Sequence, residues 1–316
     1  MSNYQGKHVA RNRRAVIFLA AAAVVLALTA AVIVYQKYWD KTPPRPEPAP
    51  GAPSAASSAS SSGLSQPAPG PAEPKAPPYD FSQPVPQGEA VDNSYFDDAA
   101  FVGDSRTDGF MIYSGIGTGD NLTSNGLSIF RLAEKKALTI GEETYTLLEA
   151  LALKGYGKVY LSLGINELGY GSRNDSAFYR SYCAAIDEIR RLQPGAVIYI
   201  QGLIPVNEEQ LMEFNGNKYN LTNDHLRVYN DLLRQAAEEK QVVYLDLYSR
   251  FADENGSLPA DQSRDGVHLK KDPCREWLEY LKTHTVEFDA LYPDGAPVPP
   301  EPAPAEPAAA DGSVQG

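Results

Sequence analysis

Three short segments of the chain carry the residue types that acyl-transfer chemistry needs. Ser105 lies in Gly-Asp-Ser directly after the apolar run 99–102, and a serine becomes a nucleophile when a neighbouring base takes its proton. His268 is the candidate base. Asp265, three residues earlier in Asp-Gly-Val-His, can hold the imidazole in the required tautomer. The sequence therefore predicts a triad of Ser105, His268 and Asp265 in a serine hydrolase.

A third segment supplies donors for the negative oxygen of a tetrahedral intermediate. Asn166 follows an apolar run in Leu-Ser-Leu-Gly-Ile-Asn-Glu, and its side-chain amide can donate to an oxyanion. The backbone N–H of Ser105 is a second candidate. Gly126, in Thr-Ser-Asn-Gly-Leu-Ser, is the best choice for a third donor between them. We expect an oxyanion hole made by Ser105, Gly126 and Asn166.

The elements that must position these residues alternate along the chain. Apolar runs rich in β-branched residues predict strands at 99–102, 159–163, 197–201 and 242–246, and helical patterns occupy 142–153, 175–192, 223–240 and 273–284. Such alternation predicts an α/β domain with a parallel sheet covered on both faces. Ligands of these folds bind outside the carboxyl ends of the strands, where Ser105 and Asn166 fall.

The order of Gly-Asp-Ser, an isolated glycine, Gly-x-Asn and Asp-x-x-His resembles the SGNH (GDSL-type) esterase/lipase superfamily, especially its bacterial members, over residues 92–284. The resemblance implies a flavodoxin-like three-layer sandwich around a central parallel sheet. It also implies the roles given above to Ser105, Asp265, His268, Gly126 and Asn166. One departure is Glu167, where the family usually has Asp. This change could alter how the Asn166 loop is anchored.

The ends of the chain predict a membrane tether. Residues 15–35 are uncharged and apolar, and at ~1.5 Å per residue they could span a bilayer as a helix. Basic residues precede this stretch, so we expect a cytoplasmic segment at 1–14, a signal-anchor at 15–35 and everything else outside the cell. A cleaved signal peptide is the alternative. The expected remainder is a Pro/Ala/Ser-rich disordered linker at 36–91, the hydrolase domain at 92–290 and a disordered tail at 291–316.

The net charge and the cysteine count limit the kinds of partner and cofactor that the protein is expected to bind. A net charge of −12 argues against nucleic acid and against tight binding to anionic lipid heads. The two cysteines, Cys183 and Cys274, indicate neither a disulfide framework nor a zinc site, although a single bridge between them stays open. We expect no cofactor and no metal.

Other residues near the motifs allow two interpretations each. Arg106 could contact an acidic substrate group, or it could be a solvated helix-start residue or part of a structural salt bridge. His225 is expected to be an exposed first-turn histidine of a helix rather than a second catalytic one. Three tyrosines fall in loops expected near the site and could pack on sugar rings: Tyr113, Tyr170 and Tyr219. Gly169 and Gly171 predict a mobile loop beside the pocket.

The leading hypothesis is an extracytoplasmic esterase that removes acyl groups, most plausibly O-acetyl, from a cell-wall or surface glycan. The substrate would be an acylated glycan or another small ester, and the membrane would be contacted only through the N-terminal helix. A lipase, lysophospholipase or thioesterase would instead require an apolar acyl groove, and an acyltransferase could use the same triad. A non-catalytic glycan-binding domain would predict a damaged triad.

Overall fold

The computed structural model describes residues 78–168 and 174–301. The predicted signal-anchor at 15–35, most of the predicted linker and the tail beyond residue 301 lie outside these residues. Within the two described ranges, no helix is long and apolar enough to cross a membrane.

A five-stranded parallel sheet forms the centre of the domain. Its strands are β1 (Ala99–Gly103), β2 (Asp120–Thr123), β5 (Lys158–Ser162), β6 (Val197–Gln201) and β7 (Val243–Leu245), and a separate antiparallel hairpin pairs β3 (Leu138–Ile140) with β4 (Glu143–Tyr145). The order across the large sheet is β2-β1-β5-β6-β7, and every neighbouring pair is parallel. This is the flavodoxin-like order, in which the direction of winding reverses between β1 and β5.

Side chains alternate between the two faces of the sheet, and both faces are buried. On β1, Ala100 and Val102 enter one apolar cluster, whereas Phe101 enters the other. On the second face, Phe101, Tyr160 and Tyr199 stand opposite one another on neighbouring strands and stack at centroid distances of 4.8 and 4.6 Å. The predicted α/β three-layer architecture is confirmed.

The helices cover these two faces. They are α1 (Ser105–Tyr113), α2 (Leu147–Leu151), α3 (Ile165–Leu168), α4 (Asp175–Leu192), α5 (Glu208–Asn215), α6 (Asn223–Lys240), α7 (Leu247–Phe251), α8 (Lys271–Thr283) and α9 (Phe288–Leu291). Buried side chains of α2, α4 and α6 belong to the first cluster, and those of α1, α7 and α8 belong to the second. The helices predicted at 175–192 and 223–240 match α4 and α6 at both ends.

The helix predicted at 142–153 is wrong in its first half. Glu143–Tyr145 form a strand that turns back on β3 through Gly141, and the helix begins only at Leu147. Thr146 caps it, because its hydroxyl accepts from the amide of Glu149 while the carboxylate of Glu149 accepts from the amide of Thr146. This reciprocal pair fixes the start of α2.

The chain before β1 is fastened to the domain. The amide of Val85 donates to the carbonyl of Tyr244 at 3.1 Å, and the amides of Gly88 and Val91 donate to carbonyls at the end of α8 at 2.7 and 3.0 Å. Val85 is also buried in the second cluster. This packed stretch falls in the range expected from composition to be linker.

Both cysteines are buried free thiols. Cys183 on α4 belongs to the first apolar cluster, and Cys274 on α8 belongs to the second. The sheet therefore separates them, and they form no bridge in this fold.

Candidate active site

Ser105, His268 and Asp265 form one hydrogen-bonded series. The Oγ of Ser105 lies 2.9 Å from Nε2 of His268, and Nδ1 of the same ring lies 2.8 Å from Oδ2 of Asp265. The serine hydroxyl can donate to Nε2 while Nδ1–H donates to the carboxylate, the tautomer that leaves Nε2 free to accept a proton. The three side chains predicted from the sequence are thus joined by two hydrogen bonds.

The Asp265–His268 turn is organised by its own hydrogen bonds. Oδ1 of Asp265 accepts from the amides of Val267 and His268 at 2.9 and 2.8 Å. Ser263 is completely buried; its hydroxyl accepts from the amide of Gly266 at 2.9 Å and donates to the carbonyl of His268 at 3.0 Å. Burial alone would raise the pKa of Asp265, but hydrogen bonds from His268 and Val267 leave it below its ordinary value. The carboxylate stays ionised opposite the imidazole.

The predicted nucleophile, Ser105, lies at the point where β1 passes into α1. Gly103 ends the strand, and a Cβ there would come within 2.2 Å of Oγ1 of Thr107, so only glycine fits. Asp104 caps α1 by accepting from the amide of Arg106 at 2.9 Å, which makes Ser105 the first helical residue. Its amide has no intrahelical acceptor, and it points from the positive end of the helix dipole.

Gly126 and Asn166 line the same cavity as Ser105. Gly126 has φ = +71°, and its amide has no acceptor among the residues that the structure describes. Nδ2 of Asn166 donates to the carbonyl of Leu127 at 2.9 Å and to Oδ2 of Asp104 at 3.3 Å. The three predicted donor groups therefore border one space, with the Asn166 amide engaged by protein acceptors.

The sequence profile of the GDSL-like lipase/acylhydrolase family matches residues 101–272, which make up more than half of the chain. The chain belongs to this family. The match begins in β1 and ends just after His268, so it contains every predicted site residue. This GDSL-like acylhydrolase is accordingly an ester-hydrolysing serine hydrolase.

Several solved structures are similar to this acylhydrolase. A protein from Streptococcus pneumonia described as a platelet activating factor is 22% identical, with a TM-score of 0.49 over 61% of this chain and 83% of the other. A peptidoglycan O-acetylesterase is 18% identical, with a TM-score of 0.41 over 52% and 45%. A GDSL-like lipase from Bacteroides thetaiotaomicron is 14% identical, with a TM-score of 0.43 over 58% and 86%. No curated protein sequence matches this chain significantly.

Arg106 is buried rather than solvated, and it forms no salt bridge with a carboxylate of the described residues. Its guanidinium is buried and donates to three backbone carbonyls: from Nε to Val267 at 2.9 Å, from Nη1 to Ile204 at 2.6 Å and from Nη2 to Pro205 at 3.1 Å. Burial lowers the pKa of Arg106 to about 10, so it remains charged at neutral pH. It ties the nucleophile helix to the turn that carries His268. Only its position next to Ser105 hinted at this role in the sequence.

Two buried carboxyl groups lie behind the donors. Oε1 of Glu167 accepts from the amide of Ile129, and Oε2 is buried without a partner among the described residues. Burial, together with the nearby charge of Asp104, raises the pKa of Glu167 to about 7. Burial likewise raises the pKa of Asp104 to about 6, although the amide and charge of Arg106 oppose this. Glu167 does anchor the Asn166 segment, by fastening it to the 127–129 loop.

The predicted triad and donor residues border a cavity of about 540 Å³. Ser105, Gly126, Asn166 and His268 are among its lining residues. Many further lining residues come from the end of α5 and the loop after it, a stretch in which the sequence pointed only to Tyr219: Leu211, Phe214, Asn215, Lys218, Tyr219 and Leu221. Asn207 and Gly216, the cap residues of α5, were the available sequence signals.

The remaining candidates are placed differently from expectation. His225 is in the first turn of α6 as predicted, but it is buried, with Nε2 3.1 Å from Oδ1 of Asp175. Among the three tyrosines, Tyr219 lines the cavity, whereas Tyr113 lies at the end of α1 with the Arg264 guanidinium over its ring at 5.4 Å. Tyr170 and the glycine loop around it lie outside the described residues.

Proposed function

We propose that this acylhydrolase is an extracytoplasmic carbohydrate esterase that removes O-acetyl groups from a cell-wall or surface glycan through a triad of Ser105, His268 and Asp265. The observation that carries the proposal is the continuous series of short contacts from Ser105 Oγ through both imidazole nitrogens to Asp265. That series ends at a cavity bordered by backbone and side-chain donors.

The reaction follows from these positions. His268 takes the proton of Ser105 as Oγ attacks the ester carbonyl, and Asp265 stabilises the imidazolium that forms. The amides of Ser105 and Gly126 and the side chain of Asn166 donate to the oxyanion. The imidazolium then protonates the sugar oxygen as its bond to the carbonyl carbon breaks, so the sugar departs as an alcohol and the acetyl group stays on Ser105. Water activated by His268 releases acetate and restores the serine.

A small acyl group and a sugar suit the exposed, mixed lining of the cavity. His268 is 45% exposed, so a bulky polymer can reach it from solvent. Tyr219 lines the same cavity and is half exposed, so its ring can pack against a sugar. The acyl-transfer chemistry rests on the site, and the glycan substrate rests on this lining and on the expected location outside the cell.

The experiment is a panel of chromogenic acyl esters of increasing chain length, assayed beside acetylated glycans. The proposal predicts that kcat/KM is highest for acetate and falls as the chain lengthens, and that acetate is released from at least one acetylated polymer. Hydrolysis of long-chain esters in preference to acetate would contradict it.

A lipase-type esterase is the second candidate, and one observation favours it. Leu211, Phe214 and Leu221 give the cavity an apolar side, where an acyl chain could lie. The same chain-length panel separates the two functions, because an apolar groove increases kcat/KM with each added methylene.

The location is also a proposal. It is supported by the apolar stretch at 15–35, which basic residues precede, and by the Pro/Ala/Ser-rich composition that follows it. A retained signal-anchor would hold the catalytic domain outside the cell at the end of this spacer.

A further inference from the structure

One side of the cavity contains residues with no part in the triad or the oxyanion hole. We call residues 211–221 the specificity wall; its cavity-lining members are Leu211, Phe214, Asn215, Lys218, Tyr219 and Leu221. These residues border the same cavity as Ser105 and His268, so a substrate bound at the triad can contact them. They are therefore suited to determining which esters bind.

The backbone of the wall is held in an uncommon conformation. Gly216, Asn217 and Asn220 all have positive φ angles, of 68°, 44° and 49°. The side chain of Asn217 bridges this turn, since its Oδ1 accepts from the amide of Leu221 and its Nδ2 donates to the carbonyl of Leu221, both at 3.0 Å. The turn is thus fixed by its own hydrogen bonds, which places Lys218 and Tyr219 at the cavity before a ligand arrives.

Lys218 brings a positive charge to this position, in a cavity whose lining also includes the carboxylate of Asp265. Its Nζ lies 4.7 Å from the centroid of the Tyr219 ring, and it forms no ion pair with any carboxylate of the described residues. The chain as a whole carries a net charge of −12, so the positive charge of Lys218 in this cavity is opposite in sign to that of the protein. Such a cation favours a negatively charged ligand group.

The wall also exposes aromatic rings that a soluble surface usually hides. Phe214 is 66% exposed and Tyr219 is 51% exposed, and both border the cavity. A pair of open rings beside an ammonium group can bind a molecule that has a weakly polar face and one negative charge. A sugar ring with an acidic substituent has both features.

We infer that the specificity wall is a subsite for an acidic sugar, so that the preferred substrate is an acetyl ester on a glycan whose residues carry a carboxylate. This inference rests on the proposed esterase function and names its substrate class. Lys218 pairs with the anionic group, and Phe214 and Tyr219 pack against the ring. The acyl group lies on the opposite side, beside Ser105 and the oxyanion donors.

The test uses a matched pair of substrates, the mono-O-acetylated methyl glycosides of glucuronic acid and of glucose. A third substrate, the acetylated methyl glucoside carrying a phosphate, separates a carboxylate preference from a general preference for anions. The quantity measured is the ratio of kcat/KM for each acidic substrate to that for the neutral one. The wild type is expected to prefer the carboxylated sugar, and the preference is expected to weaken as salt is added.

Three variants assign the preference to Lys218. Lys218→Gln is expected to reduce the ratio about fivefold, mainly through KM, since a partly exposed ion pair contributes only modest binding. Lys218→Arg keeps the charge and should retain most of the preference. Lys271→Gln removes the same charge from the start of α8, outside the cavity, and should leave the ratio at the wild-type value.

The possible outcomes distinguish failure of the proposed subsite from failure of the proposed esterase function. Equal kcat/KM for acidic and neutral sugars, or the same ratio in Lys218→Gln as in the wild type, would overturn the subsite while acetyl ester hydrolysis still stands. No hydrolysis of any acetyl ester would overturn the proposed function itself. If Phe214→Ala impairs only long-chain chromogenic esters and none of the glycosides, the wall is an acyl groove and the inference is wrong.

Discussion

Asn166 has two protein acceptors in the resting site, so its proposed part in catalysis requires one of them to be released. The contact with Asp104 at 3.3 Å is longer than that with Leu127 at 2.9 Å and is the easier one to lose. The amide would then donate to charge that develops only in the transition state. Asn166→Ala should therefore reduce kcat roughly 10²–10³-fold with a much smaller change in KM.

Full pH profiles of kcat for the wild type and two variants test this role. A protonated imidazole cannot accept the proton of Ser105, so activity is expected to be lost in acid and to rise towards neutral pH. Asn166→Ala should lower the plateau and keep the shape, whereas His268→Ala should abolish the limb and most of the activity. A rise in KM alone for Asn166→Ala would make the residue a ground-state contact.

The burial of Glu167 predicts an effect on the free energy of unfolding rather than on the catalytic rate. Its pKa is raised from 4.5 to about 7 because the folded protein buries it, so folding favours the neutral carboxyl. Below pH 4.5 the group is neutral in both states and has no effect. As pH rises to about 7 the unfolded chain ionises first, and the folded state loses roughly 3 kcal/mol relative to it.

Urea unfolding of the wild type and Glu167→Gln at several pH values measures this loss. The wild type should lose free energy of unfolding between about pH 4.5 and 7, beyond what other groups contribute, and the glutamine variant should lose less. The variant thus becomes more stable relative to the wild type as pH rises. Parallel curves for the two proteins would mean that folding does not shift the pKa of Glu167.

The Asp265–His268 turn packs closely against the start of α5. Gly266 has φ = +87°, and a Cβ there would come within 2.6 Å of the carbonyl oxygen of Asn207 and 2.9 Å of the amide of Leu211. Neither backbone atom can move without shifting α5. The position of His268 therefore depends on a glycine and on the helix that also begins the specificity wall.

Gly266→Ala should lower the free energy of unfolding by about 2 kcal/mol or more and reduce kcat by roughly 10²-fold, because it displaces both triad partners of Ser105. Gly141→Ala is the matched control. Gly141 also has a positive φ, of 65°, but a Cβ there meets nothing within 4 Å. It should cost roughly 1–2 kcal/mol and keep full activity. Similar kcat losses in both variants would point to general destabilisation.

The elements that sequence reasoning found are those with a strong apolar signal. β1, β5, β6 and β7 are continuous apolar runs, and α4 and α6 have clear helical periodicity. β2 escaped because Asp120–Thr123 is an edge strand with only Leu122 buried, so it shows no apolar run. The separation of β4 from α2 depends on the capping pair of Thr146 and Glu149, which the helical pattern of 142–153 concealed.

The site was predictable in its reacting groups and less so in what supports them. Ser105, Asp265 and His268 are chemically distinctive at fixed spacings, and the structure places them in contact. Arg106 donates to backbone carbonyls that are distant in sequence, and Ser263 bonds backbone groups of its own turn. Every residue has such backbone groups, so the sequence does not reveal these contacts. Apart from Tyr219, the specificity wall was not predicted, because it lies far in sequence from Ser105 and Asn166 and only the fold brings the loop after β6 to the same edge of the sheet.

At the scale of the whole molecule, the expected tether makes a topological prediction. If residues 15–35 are a retained anchor with the N-terminus inside, protease added to intact cells should cleave between residues 42 and 82 and release a soluble, active domain. A cytoplasmic marker protein should remain intact as the control. Protection of the linker until the cells are lysed would reverse the orientation, and a mature N-terminus beyond Tyr35 would replace the anchor with a cleaved signal.

The central claim is that Ser105 is the nucleophile, and covalent labelling tests it most directly. A serine-directed phosphonate, followed by peptide mass spectrometry, should modify Ser105 in the wild type and in the exposed-site control Ser176→Ala. Ser105→Ala should keep the circular dichroism spectrum of the wild type, take up no label and lose at least about 10³-fold in kcat. Labelling of a different residue, with full activity retained in Ser105→Ala, would contradict the account.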